Sequence, residues 1–356
     1  MIIEASHYDT VEWTPRPMKP GEMFYRPKAS RPITITDTRL KLRAPCRVDV
    51  GLLDYSALKF TDDHDYKAGE ISFAGDLYTW VSVKLINKPD ILIQSERPLI
   101  VEHYTRIMKE ITEYGGGFEI ETGSHQYRHV GFGSSAVMAE TLVTAINTLL
   151  GEPFKYRDLR ELVAKNFLEE SDSTELLFPG ASTGGSFNTV RSGGMVITSA
   201  ESEEIFHVET PEEYTFVIGT PDVKTAGPES SETDVNCMGW ERHNERINAA
   251  KSCLWILTEV MPYAVRGDWN KVGAAFYNYT LFGGKAMQML YYQASLADIL
   301  FQMKVAKIEG GWMTSAGPSL VAFTKDKVDV AKEIFEKHNF KQILEVHPDN
   351  RGIQYV

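Results

Sequence analysis

Cysteine is scarce in this chain: Cys46, Cys237 and Cys253 are the only three in 356 residues, odd in number, far apart and in no metal-ligand spacing. That pattern predicts neither a disulfide framework nor a zinc site, and a reduced cytoplasm fits it best. Basic residues are few as well, 37 Lys and Arg against 49 Asp and Glu, for a net charge of −12. A general nucleic-acid or anionic-membrane surface needs a basic face, so neither partner is expected, although local cationic pockets for a phosphorylated small molecule are compatible with the balance. No apolar run approaches a membrane span, and the first residues, MIIEASHYDTVEW, are acidic where a signal peptide would be basic. None of the nine histidines stands in an HExxH motif, and no transition metal is assigned. What is present is a 43% hydrophobic chain, long for one domain and able to bury a real core.

Five prolines between Pro15 and Pro32 exclude a continuous helix, so residues 1–33 read as an extended arm laid over the body or as a partly ordered tail. From Thr34 the alternation TITDTRLKLRAP predicts a strand, and RAPCRVDVGLLDYSALKF at 43–60 a second one ending at Gly51. Further strands are expected at 78–85, 90–94 and 118–122, with a helix over 99–114. A helix over 159–169 and a Gly-rich segment at 175–198 complete a first unit, 34–205. The second, 206–356, is expected to hold a strand at 214–219, an aperiodic loop or lid at 221–239, long helices over 241–261 and 269–308 broken at Gly283 and Gly284, then strand 319–323, helix 328–338 and strand 342–346. That βααβαβ order predicts a ferredoxin-like, antiparallel half.

The stretch that organises the rest is GFGSSAVMAETLVTAINTLL at 131–150. Gly131, Gly133, Ser134, Ser135 and Ala136 have little side-chain bulk, so their backbone N–H groups can approach a ligand, and the following helix adds its positive end. An anion is expected there. Apolar residues from Val137 to Leu150 recur at three- and four-residue spacing, with Gly151 closing the helix.

Four stretches together resemble the GHMP kinases, the galactokinase, homoserine kinase, mevalonate kinase and phosphomevalonate kinase superfamily: RAPCRVDVGLLDY at 43–55, GFGSSA at 131–136, GASTGGSFNTVRSGG at 180–194 and MTSAGPSLVAF at 313–323. The resemblance implies an α+β, two-layer fold with a ribosomal-S5-like N-terminal half and a ferredoxin-like C-terminal half, and dimers are common among members. In the third stretch many members carry an acidic Mg²⁺ ligand five residues before the first glycine, here Glu175, and a catalytic aspartate, whose position here is Ser186. A serine hydroxyl, un-ionised near pH 7, cannot accept or orient an alcohol proton as a carboxylate does.

The same departure marks one branch that the chain is similar to, the beta-ribofuranosylaminobenzene 5'-phosphate synthases and related C-nucleoside synthases. That likeness implies attack of an aromatic or heteroaromatic carboxylic acid on C1 of phosphoribosyl pyrophosphate, with loss of pyrophosphate and CO₂. The attacking ring carbon has no proton to remove, so no general base is needed. Under this reading Gly131, Gly133, Ser134 and Ser135 contact pyrophosphate, with Mg²⁺ on Ser135 and Glu175. Thr183, Gly184 and Gly185 offer backbone N–H groups beside Ser186, and Ser315, Ala316 and Gly317 close over the ligand. Arg47 and Asp49 alternate with Val48 and Val50, so both face one polar cavity or form a buried structural ion pair. Asp54 and Tyr55 follow the strand end where members meet substrate, and Lys224, His129 and Lys285 are the candidate cations for the acceptor carboxylate. An ATP-dependent kinase with Asp49 or Asp54 as base, and a ligand-binding protein without activity, are the competing readings.

Overall fold

In the computed structural model the described residues are 16–57, 68–125, 127, 130–171, 174–223 and 239–356. The expected lid at 221–239 therefore lies almost wholly outside them, as do His129 and Lys224. Two expected strands at the start are one: β1, Arg39–Leu52, runs fourteen residues with register shifts between Pro45 and Cys46 and between Asp49 and Gly51. Pro45 has no N–H to give a ladder, and the shift beside it absorbs the loss. Thr34 and Thr36 are not in the strand; their N–H groups donate to the carbonyls of Leu150 and Leu149 at the end of the loop helix.

β2, Glu70–Ile86, is twice the strand expected at 78–85. Its first six residues are all buried, and the alternation Glu70-Ile71-Ser72-Phe73 runs at once into Ala74 and Gly75, so the strand signal there is short. One half of β2 pairs with β7 (Met195–Thr198) and the other with β4 (Gly117–Gly123), while β1 runs along its other edge. β3 (Ile91–Gln94) lies parallel to β4 through the crossover helix α1, Pro98–Thr112. α1 and the loop helix α2, Ser134–Leu149, cover this sheet, with Tyr104, Ile107, Leu142, Val143 and Ile146 in the layer between.

α3, Tyr156–Lys165, stops short of the expected helix end at Glu169. Asn166 ends it: the Asn166 Nδ2 donates back to Leu162 O while its Oδ1 accepts the N–H groups of Phe24 and Tyr25 from the arm. The chain then forms a hairpin, β5 (Leu168–Glu170) with β6 (Leu177–Pro179), to which Met18 of the arm adds a bridge at Leu177. α4, Gly185–Ser192, leads through β7 to β8, Glu204–Val208, which crosses residue 205 and still belongs to the first sheet.

The second sheet has the order β10-β11-β9-β12, every pair antiparallel, with β9 at Thr215–Thr220, β10 at Gly310–Met313, β11 at Leu320–Thr324 and β12 at Gln342–Val346. With helices after β9 and between β11 and β12, this is the ferredoxin-like arrangement. β10, GGWM, is the strand that the sequence reading lacked, since two of its four residues are glycines. Both are needed: α7 (Trp269–Phe282) packs so closely that a Cβ on Gly311 would lie 2.5 Å from the Tyr277 ring. Ahead of α7, α5 (Gly239–Trp255) runs through a π turn at Ile256–Val260 into α6 (Met261–Val265), the widened turn falling before Pro262, which has no N–H to donate. After α7 the chain breaks at Gly283 as expected and again at Gln293, giving α8 (Gly284–Tyr292) and α9 (Ser295–Val305). α10 (Val328–Lys337) and β13 (Gln354–Tyr355), which returns to β1, complete the chain.

A single aromatic cluster joins the two sheets. Phe73 of β2 stacks on Trp312 of β10 at 5.8 Å between centroids and meets Phe216, Phe276 and Phe323 within 6 Å. No helix among the described residues is long and apolar enough to cross a membrane.

Candidate functional site

The glycine loop is built as its composition requires. Gly131 (φ 95°) and Gly133 (φ 62°) both adopt left-handed backbone, and Gly133 is the N-cap of α2, so the helix start is free of side chains. Thr314 fastens it: its hydroxyl donates to Gly131 O and accepts the Asp49 N–H, while Trp312 Nε1 donates to Asp49 O. Loop, β1 and the C-terminal glycine loop are thus tied at one point, and between them opens a cavity of about 1040 Å³, counting the space at its mouth.

Its walls come from both halves of the protein. β1 contributes Arg47 and Asp49, residues 131–136 form the floor, Thr183 ahead of α4 and Ser186 in its first turn add to the wall, α8 supplies Lys285, and Ser315, Ala316 and Gly317 close one side. Arg47 is held from two directions, NH1 at 3.4 Å from both oxygens of Glu70 and NH2 donating to Ser315 Oγ at 3.2 Å. Lys285 donates to Ser315 O and stands 3.6 Å from Asp49 Oδ2. Asp49 Oδ1 is buried with no hydrogen-bond partner among the described residues. Of the two alternatives for the β1 pair, the shared cavity is the one observed: Arg47 and Asp49 both line it, and their ionic partners are Glu70 and Lys285 rather than each other.

The acidic group at the loop is Glu169. Ser135 Oγ donates to its carboxylate, and the buried Arg97 reaches both Glu169 (3.4 Å) and Ser134 Oγ (3.2 Å). Glu175, expected here from its distance to Gly180, is exposed in the turn between β5 and β6 and does not line the cavity. The five-residue count lands on the hairpin turn, and the strand that faces the loop carries Glu169 instead. Asp54 is also outside, its carboxylate accepting the Ser56 N–H and hydroxyl. Gly184 and Gly185 lie behind the wall at the start of α4, where a methyl on Gly185 would overlap the carboxyl of Glu70. Besides Glu169, the sequence reading missed Phe167 and Tyr292 in the lining and Glu70 and Arg97 behind it. The doublet Glu169–Glu170 was visible next to the motif. Arg97 and Glu70 carry no local signal.

Burial shapes the electrostatics. Glu70 is held above the usual carboxylate range by desolvation, which outweighs the opposing pull of Arg47. Glu140, on the buried face of α2, is pushed well above that range by desolvation, and neither of its oxygens has a hydrogen-bond partner among the described residues. His125 is pushed down to about 4 by burial beside Phe132.

A sequence profile of the GHMP kinases N terminal domain matches residues 99–174, which contain α1, the glycine loop and α2. No curated protein matches the sequence. Solved structures do match in fold: a homoserine kinase from Cytophaga hutchinsonii (16% identity, 92% of this chain and 100% of that one, TM-score 0.62) and a mevalonate kinase (13%, 87% and 99%, 0.60). A mevalonate diphosphate decarboxylase from Staphylococcus aureus is similar to the same degree (15%, 90% and 98%, 0.59).

Proposed function

The chain has the α+β fold of the GHMP kinase superfamily and its N-terminal domain, and from that premise we propose that it is a decarboxylating C-glycoside synthase acting on phosphoribosyl pyrophosphate. The observation that carries the reading is the composition of the cavity: a glycine-rich helix start at 131–136, two cations, Arg47 and Lys285, and Ser186 where an alcohol-phosphorylating relative needs a carboxylate. Glycine-loop N–H groups and Arg47 grip the diphosphate; Lys285, the only described member of the three candidate cations, faces the acceptor carboxylate. The ring carbon that bears this carboxylate forms a bond to C1 of the sugar as the C1–O bond to pyrophosphate breaks. The ring–carboxylate bond then breaks, CO₂ leaves, and its electron pair restores the aromatic ring. No proton is removed, which suits a site with a serine at position 186. Preorganised donors around the departing pyrophosphate contribute, on the order of a few kcal/mol each in a dry site.

Mg²⁺ fits the donor set, since the Ser135 hydroxyl and the Glu169 carboxylate are hard oxygens that meet at the start of α2. When bound there, the ion neutralises diphosphate charge. The structural relative MDDEF, 17% identical with a TM-score of 0.55, was solved in complex with MVAPP, AMPPCP and magnesium.

One feature favours a second reading, phosphoryl transfer to a small alcohol: Asp49 Oδ1, beside Lys285 and without a hydrogen-bond partner among the described residues, could accept a hydroxyl proton. Incubation with Mg²⁺, phosphoribosyl pyrophosphate and a panel of aromatic and heteroaromatic carboxylic acids distinguishes the two. Release of pyrophosphate and CO₂ together, with a product heavier than the decarboxylated acid by one phosphoribosyl group, is expected. ADP formation from ATP and a small alcohol, with no pyrophosphate release, contradicts the synthase.

A further inference from the structure

We infer that Glu70 is a positioning residue for the anion site: it holds the Arg47 guanidinium so that the Nε–H faces the glycine loop as an additional donor to a bound diphosphate. The inference rests on the proposed reading only in taking diphosphate as the ligand of residues 131–136.

Glu70 begins β2 and is 1% exposed, yet it is surrounded by donors. Thr183 Oγ1 donates to Oε2, Ser72 Oγ donates to Oε1 at 3.1 Å, and Arg47 NH1 lies 3.4 Å from each oxygen. Four contacts from three residues fix the carboxylate, and the absent side chain of Gly185 gives it room. The guanidinium is tethered at its other end by Ser315 Oγ, so both terminal nitrogens are committed, one to the first half of the protein and one to the second. Nε is different. It is buried and has no hydrogen-bond partner among the described residues, and it lies 3.1 Å from where a Cβ on Gly133 would stand, at the cap of α2. A buried N–H without an acceptor is costly, and an anion at the helix start is the acceptor that would satisfy it. Arginine suits this arrangement because its planar guanidinium spreads its donors over three nitrogens, so Glu70 and Ser315 can hold the two terminal ones while the Nε–H is directed elsewhere; a lysine gathers its three donors at a single point.

The test is binding of inorganic pyrophosphate with Mg²⁺ by calorimetry to four forms of the full chain: wild type, Glu70→Gln, Arg47→Met and the double variant. Wild type is expected to bind, Glu70→Gln about tenfold more weakly, as befits loss of a charge-assisted tether. In the Arg47→Met background Glu70→Gln is expected to change affinity less than twofold, because there is no guanidinium left to orient; a general structural role would give the same loss in both backgrounds. Ser315→Ala, in a loop at the cavity edge, removes the other tether and is expected to weaken binding several-fold, which keeps the test open should Glu70→Gln unfold. Equal losses in the two backgrounds, or none in wild type, overturn the positioning role. Failure of the wild type to bind pyrophosphate at all overturns the diphosphate reading instead.

Discussion

Acidification should loosen the arm through one histidine, and the size of the effect follows from its surroundings. His103 of α1 is fully buried; its Nδ1 accepts the Gly21 N–H at 3.1 Å, and its Nε2 contacts Asn166 O at 3.0 Å. Those partners fix the neutral Nε2–H tautomer, since Gly21 requires a lone pair on Nδ1. Burial pushes the imidazole from 6.5 down to about 4. The folded value lies below the unfolded one, so the unfolded chain binds the extra proton first. Stability from this group is complete above pH 6.5 and is lost as pH falls through 4. At about 1.36 kcal/mol per unit, the loss between pH 7 and pH 4 is about 3 kcal/mol, slightly under the full separation because the folded state is half protonated at pH 4. His103→Gln retains an acceptor and a donor without titrating. Urea unfolding of both proteins at the two pH values should show the wild-type advantage shrinking by about 3 kcal/mol on acidification, with the His125 contribution cancelling in the difference. Parallel pH dependence in wild type and variant refutes the argument.

Three further outcomes follow from the same geometry. Glu169→Gln should raise the Mg²⁺ concentration needed for pyrophosphate binding by about tenfold or more, whereas Glu175→Gln, exposed outside the cavity, should leave it unchanged; a metal titration of each decides. Glu140→Gln should stabilise the protein at neutral pH: its folded value is raised by desolvation, so stability is lost as pH rises above the unfolded carboxylate range, and the gap between variant and wild type should widen from pH 5 to pH 7 in urea titrations. Gly133→Ala forces a methyl into left-handed backbone at about 1–2 kcal/mol and places it 3.1 Å from Arg47 Nε, so ligand affinity should fall further than stability does, as read by calorimetry against urea unfolding.

The sequence revealed most where structure is local. The glycine loop, α2, the broken helices after Trp269 and the C-terminal strand–helix–strand could each be read from periodicity and small residues within a short window. Features that depend on distant partners were not legible. The start of β2 buries polar Glu70 and Ser72 against distant partners after only four alternating residues, and β10 opens on two glycines whose reason is a helix 37 residues earlier, at Gly273. The site divides in the same way. Of the backbone-built parts of the cavity wall, Gly131 to Ala136 stand out by composition, whereas Ser315 to Gly317 stand out only through the resemblance. Glu70 reaches Arg47 across the sheet and Arg97 reaches the loop from the cap of α1, contacts that no spacing encodes. Glu175 was misplaced because a fixed count to Gly180 ignores the hairpin turn between β5 and β6.

The central claim is that this cavity takes a sugar diphosphate rather than an adenine nucleotide. Thermal unfolding with Mg²⁺ and either phosphoribosyl pyrophosphate or ATP tests it directly, because a ligand that binds only the native state raises the melting temperature by mass action. A rise of several degrees with phosphoribosyl pyrophosphate and little change with ATP is predicted. A rise with ATP and none with phosphoribosyl pyrophosphate contradicts the account.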